Sequence, residues 1–185
     1  MKTKNRAQDA TRYWFQSGEH ILIDANIWLF LYPPAAQPAS RWVTAYSRAF
    51  SRLLSAKAIP VVDAIILSEY LNCYVRIEYD ASWKAHYSTF KRFRQSVDAA
   101  TVLGSAAAEV NQILSVTSTC DTLLVNIDLP SVLNAFQLGT IDFNDGLLAQ
   151  NCRVNGWKLM THDGDMSLGG IEVLTTNATL LKNCP

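Results

Sequence analysis

Short apolar runs along the chain end at acidic residues or prolines, and longer stretches with helical spacing lie between them. His20–Ile23 is such a run; it closes on Asp24 and predicts a short buried strand, followed by an aromatic-rich helix over Ile27–Leu31. Pro33, Pro34 and Pro38 then break the chain into a loop. Ser40 suits the cap of a helix reaching about Lys57. Pro60–Val62 predicts a second strand, with Asp63 capping the helix that carries Glu69. Two more helices are predicted over roughly 82–96 and 98–115. Leu123–Ile127 predicts a third strand, with Pro130 at the start of the next helix. A helix over Phe143–Asn155 stops at Gly156, and the strands Lys158–Thr161 and Ile171–Thr175 complete the pattern. Strands alternating with helices imply an α/β fold whose parallel sheet is covered on both faces. No repeat, low-complexity tract or linker interrupts the pattern, so residues 1–185 read as one domain.

Composition narrows the class. Of the 185 residues 49% are hydrophobic and 17% charged, which excludes a disordered chain. The apolar stretch Ala58–Leu67 is broken by Pro60 and Asp63 and is too short to span a bilayer, so no membrane association is expected. The N-terminal MKTKNRAQDATRYWF has lysines without an apolar core behind them and does not read as a secretory signal. The cysteines at 73, 120, 152 and 184 form no Cys-x-x-Cys motif, and reduced thiols in a cytoplasmic protein are the expectation. Glycine-rich phosphate loops, zinc-protease motifs and a serine nucleophile elbow are all missing. The net charge is zero, but residues 1–100 hold 13 basic and 8 acidic side chains, a balance of +5, and residues 101–185 hold 3 and 8, a balance of −5. Such a split suits a nucleic-acid surface joined to an acidic site, or chance scatter over two faces.

The acids cluster by position. In an open parallel sheet functional groups gather at the carboxyl ends of the strands. Asp24 ends the first strand in Ile-Asp-Ala-Asn-Ile-Trp; Asp142 and Asp145 head a helix in Ile-Asp-Phe-Asn-Asp-Gly; Asp163 and Asp165 follow a strand in Thr-His-Asp-Gly-Asp-Met. Glu69 lies within a helix on a polar stripe with Asn72 and Arg76. Taken singly, each has an ordinary use as a cap, a turn or an exposed helix position. Taken together, crowded carboxylates repel and need a cation, and oxygen-only ligands suit Mg²⁺ or Mn²⁺.

In order and spacing these motifs resemble the PIN-domain nucleases, including VapC-type toxins of bacterial toxin–antitoxin pairs. The matching positions are Asp24 with Asn26 two residues on, Glu69 in Leu-Ser-Glu-Tyr-Leu, Asp145 in Asn-Asp-Gly-Leu-Leu-Ala with Asp142 as a further acid, and Thr161-x-Asp163-x-Asp165. The resemblance spans about 20–176, leaving an N-terminal extension and a helical segment at about 80–115 that compact VapC toxins lack. Met166 stands where an aromatic residue is common, and Gly146 where the family has Ala, a change that weakens a helix start. The resemblance implies a three-layer α/β/α PIN-like fold around a central parallel sheet. It also implies metal-dependent hydrolysis of RNA, with Asp24, Glu69, Asp145 and Asp163 as catalytic metal ligands. Asn26, Asp142, Thr161 and Asp165 would support them, and an antitoxin partner and a homodimer are further expectations.

A polyanion approaching an acidic site needs positive charge nearby. In Trp83–Arg94, Lys84, Lys91, Arg92 and Arg94 interleave with Trp83, Tyr87, Phe90 and Phe93, a mixture suited to single-stranded RNA. The same spacing also reads as an amphipathic helix with a solvated basic side. Two other readings compete with a ribonuclease. A haloacid-dehalogenase-like phosphohydrolase would need an acid where Asn26 stands, and a PIN fold could serve as a non-catalytic RNA- or protein-binding scaffold.

Overall fold

The computed structural model describes residues 3–38 and 40–184. Among them six strands form one parallel sheet: β1 (Arg6–Asp9), β2 (His20–Ile23), β3 (Ile59–Val62), β4 (Ser118–Thr119), β5 (Lys158–Met160) and β6 (Glu172–Thr175), in the order β1-β6-β5-β2-β3-β4. Eight α-helices lie among the described residues: α1 (Ala25–Leu31), α2 (Arg41–Ser55), α3 (Ala64–Glu78), α4 (Phe90–Arg94), α5 (Ala99–Val116), α6 (Leu129–Gln137), α7 (Phe143–Asn155) and α8 (Ala178–Asn183). Successive strand residues point to opposite faces of a sheet, yet Ile21, Leu22 and Ile23 are all fully buried. Both faces are therefore covered, and each of these side chains contributes about 1.5–3 kcal/mol through burial. The fold is α/β, with the parallel sheet between helices.

The helix boundaries follow their caps. Ser40 Oγ accepts from Trp42 N, Asp63 Oδ1 from Ile66 N and Asp128 Oδ1 from Ser131 N, at the heads of α2, α3 and α6. Gly156 ends α7 in the left-handed conformation (φ 68°), where a side chain would be strained.

Three predicted features differ. Leu123–Ile127 is no strand: Leu124–Asn126 make a 3-10 turn, and Val125 is 86% exposed. The strand in that part of the sheet is the polar pair Ser118–Thr119, directly after α5, where Cys120 N still donates to Val62 O. An edge strand needs only its backbone bonds, so no apolar run marks it. The helix predicted over 82–96 is broken. A π-helical turn, Tyr79–Trp83, extends α3, and α4 restarts at a cap in which Thr89 Oγ1 accepts from Arg92 N. The third difference lies at the termini. Residues 6–9, for which the sequence predicts no element, pair with β6, and Asn5 is buried with Nδ2 donating to the carbonyls of Met166 and Leu168. Neither β1 nor α8 has an apolar pattern long enough to announce it.

The strand order reverses between β2 and β5: the chain runs outward through β3 and β4 on one side and through β6 on the other. At such a point connections leave in opposite directions, and a crevice opens beyond the carboxyl ends.

Candidate active site in an acidic cleft

Asp24 and Thr161 follow β2 and β5, the two strands that flank the reversal. Asp24 caps α1, its Oδ1 accepting from Ala25 N at 2.6 Å. Its Oδ2 accepts from Asn26 Nδ2 and from Thr161 Oγ1, both at 2.6 Å. The Thr161 hydroxyl in turn accepts from Asn26 Nδ2 at 3.1 Å and from Asp163 N at 3.0 Å, and Asn26 Oδ1 accepts from His162 N at 3.0 Å. The side-chain polar groups of Asn26 and Thr161 are thus spent on fixing Asp24 and the turn that carries Asp163. A haloacid-dehalogenase-like site would want an acid at 26; here the amide donates to Asp24 instead.

The other acids come from α7, α3 and the turn after β5. Asp142 caps α7, accepting from Asn144 N at 2.9 Å, which puts Asp145 in the first turn. Backbone N–H groups point outward there and favour negative charge. Asp163 Oδ1 accepts from Asp165 N at 2.9 Å, holding the Asp-Gly-Asp turn. Glu69 faces the same opening from the exposed side of α3. Glu69, Asp142, Asn144, Asp145, Asp163 and Asp165 line a cleft of about 520 Å³. Asp24, only 5% exposed, does not line it, but its charge bears on both Glu69 and Asp145.

The electrostatics are those of acids without counter-charge. Burial pushes the Asp24 carboxyl up; hydrogen bonds from Thr161 and Ala25 pull it back, and Asp163 adds to the push. Partial desolvation raises Asp145 to about 7, reinforced by the charges of Asp163, Asp24, Asp142 and Glu69. Glu69 is accessible, yet desolvation within the cleft and then Asp24, Asp163 and Asp142 raise it too. Among the described residues no hydrogen-bond donor or cation engages the Asp145 or Glu69 carboxylate. Nor do three His, Cys, Asp or Glu side chains among them form a group that could hold a metal ion as they stand. The donor set nonetheless suits a hard divalent cation in kind: all oxygen, negatively charged, and destabilised by its own proximity.

The basic segment divides. Lys84 pairs with Asp80 at 3.0 Å, Arg92 donates to Ser88, and Lys91 is exposed on α4. Arg94 lies over a hollow beside α3 with Ser68 and Asn72. The aromatics are packing groups: Phe93 is fully buried with Trp83 stacked on it at 5.5 Å, and Tyr87 and Phe90 rest against the core. They offer no free platform for bases.

Sequence reasoning passed over several neighbours. Tyr46, buried in α2, donates to Thr161 O, contacts His162 Nδ1 at 2.8 Å and accepts from Thr176 N, tying the Thr161–His162 turn to α2 and β6. Asn177 Nδ2 donates to His162 O, and Asn144 walls the cleft. Tyr46 reads in sequence as one more apolar position of an amphipathic helix, and nothing about its spacing sets it apart. Asn144 stands between two acids, a signal that attention to acids alone discards.

No family model matches the chain, and no curated protein matches it. Among solved structures, a chain of VapBC2 from Rickettsia felis, crystallised bound to a DNA fragment from its promoter, superposes with a TM-score of 0.53 at 15% identity, over 84% of this chain and 98% of that one. PAE2754 from Pyrobaculum aerophilum gives a TM-score of 0.45 at 15% identity, over 84% of this chain and 90% of that one. The fold of this chain is PIN/VapC-like.

Proposed function

We propose that the protein is a divalent-metal-dependent endoribonuclease that hydrolyses RNA phosphodiester bonds in the acidic cleft. What supports this reading is the acidic cleft shared by Glu69, Asp145 and Asp163, with Asp24 buried beside it after β2 and no donor among the described residues on Asp145 or Glu69. These four would hold Mg²⁺ or Mn²⁺. When bound, such an ion supplies water activation and neutralisation of charge on the phosphoryl group. Asn26 and Thr161 aim Asp24 and oppose the upward push of burial on its carboxyl by donating to its Oδ2. The N-terminus of α7 favours charge on Asp145, and Asp142 and Asp165 set the polar mouth of the cleft. In such a hydrolysis the attacking water would lose a proton as its oxygen bonds to phosphorus, and the departing RNA oxygen would take up a proton as its P–O bond breaks.

On the same reading the chain acts as the toxin of a toxin–antitoxin pair, homodimeric and restrained by an antitoxin. The fold shared with VapBC2 supports the toxin and antitoxin part of this reading. No helix among the described residues is long and apolar enough to cross a membrane.

The test is cleavage of single-stranded RNA by purified protein. Cleavage with Mn²⁺, abolished by chelator and reduced at least about a hundredfold in Asp24→Asn, is the expected result. Cleavage indifferent to chelator and to Asp24→Asn would remove the metal-site reading. No cleavage at all, with RNA still bound, would favour the scaffold.

A further inference from the structure

The acidic cleft does not end at Glu69. Glu69 and Asn144 also line a second hollow of about 490 Å³ with Ser68 and Asn72. Ser68 and Asn72 in turn line a third, of about 260 Å³, floored by Leu71, Val75 and Leu103 and edged by Arg94. Because neighbouring hollows share residues, they form one trough along the outer side of α3. From Glu69 to Val75 it follows six residues, about 9 Å of helix.

Its far end carries positive charge without acids. The Arg76 guanidinium lies 3.9 Å and that of Arg94 5.7 Å from the centre of the Phe90 ring, so one ring is flanked by two cations. Neither arginine makes an ion pair among the described residues, whereas nearby Lys84 is paired with Asp80. Asn72 commits one N–H to Ser68 O, which leaves its carbonyl oxygen and second N–H facing outward.

An apolar floor, an amide with free donor and acceptor, and unpaired guanidiniums are the complement of one nucleotide: base face, base edge and phosphate. We infer that this trough is a subsite for a nucleotide flanking the scissile phosphate of single-stranded RNA, with Arg94 and Arg76 on its phosphate and Asn72 at its base edge. The inference rests on the ribonuclease reading, since it takes its polarity from the acidic cleft. The segment between α3 and α5 then has a use: α4 brings Arg94 to the trough.

The test is equilibrium binding of a labelled single-stranded oligoribonucleotide, in chelator to prevent cleavage, to wild type, Arg94→Gln, Arg94→Lys, Asn72→Asp and Lys182→Gln. Lys182, exposed on α8, serves as the remote control. Arg94→Gln and Asn72→Asp are expected to weaken binding about tenfold, and Arg94→Gln to flatten the salt dependence by about one unit of slope. Arg94→Lys should keep the salt slope, and Lys182→Gln should change nothing. Unchanged affinity and salt slope in Arg94→Gln would overturn the subsite. So would failure of the wild type to bind RNA, or an Arg94→Gln effect confined to self-association, which would make the trough a protein contact. RNA binding that depends on Arg94, with no Mn²⁺-dependent cleavage, would sink the nuclease reading and leave the subsite standing.

Discussion

Asp145 shows most plainly what one side chain contributes. Its carboxyl titrates near 7 in the folded protein against an ordinary value of 3.8, through desolvation first and then the charges of Asp163, Asp24, Asp142 and Glu69. Below about pH 4 the carboxyl is protonated in both folded and unfolded chains and has no effect. Between there and about pH 7 the folded state keeps a proton that the unfolded state has lost, so stability falls as pH rises; above 7 the cost is complete. Asp145→Asn is therefore expected to stabilise the metal-free protein at pH 8 by on the order of 1–3 kcal/mol, and to leave it unchanged at pH 3.5. Denaturant unfolding in chelator at the two pH values checks this, and equal effects at both would contradict it. The positions of Asp24 and Asp163 after strands and of Asp145 at a helix head were legible in the sequence, because apolar runs and capping residues mark those boundaries. Tyr46 was not, because the burial that makes it useful is also what makes it look ordinary.

At the scale of elements, α6 and α7 meet at Gly146. A Cβ built there would stand 2.7 Å from Val132 Cγ1, a buried and branched side chain with little freedom to turn. Read from sequence, the glycine only weakens a helix start; in the fold it is what allows the helix carrying Asp145 to seat against α6. Gly146→Ala should therefore destabilise, by about 1–2 kcal/mol, although helix propensity alone favours Ala by about 1 kcal/mol. A rise in thermal midpoint would show that Val132 yields. Elements that bury an apolar stripe or carry a cap were legible: Asp63 and Gly156 mark their helix ends in sequence and in the fold. Leu123–Ile127 misled because an apolar run signals burial only when something covers it, and there Leu123, Leu124 and Val125 stand in solvent. The two-residue strand β4 and the edge strand β1 are held by backbone pairing, to which side-chain pattern is blind.

For the whole molecule, the charge split has a place in the fold. Four of the eight acids in residues 101–185, Asp142, Asp145, Asp163 and Asp165, line one cleft, and Glu69 joins them from the basic half. The basic residues do not act as a block: Lys84 is paired with Asp80, whereas Arg94 reaches the trough that continues the cleft. The order of strands, which creates the cleft by reversing between β2 and β5, could be anticipated only as a parallel sheet. The measurement that tests the account most directly is a calorimetric titration of the metal-free protein with Mn²⁺ at pH 7.5, alongside Asp145→Asn. Saturable binding to the wild type is expected, with a fractional proton release from the minority of Asp145 still protonated at that pH, and binding at least about tenfold weaker in the variant. No binding at millimolar Mn²⁺, or equal binding by both proteins, would contradict it.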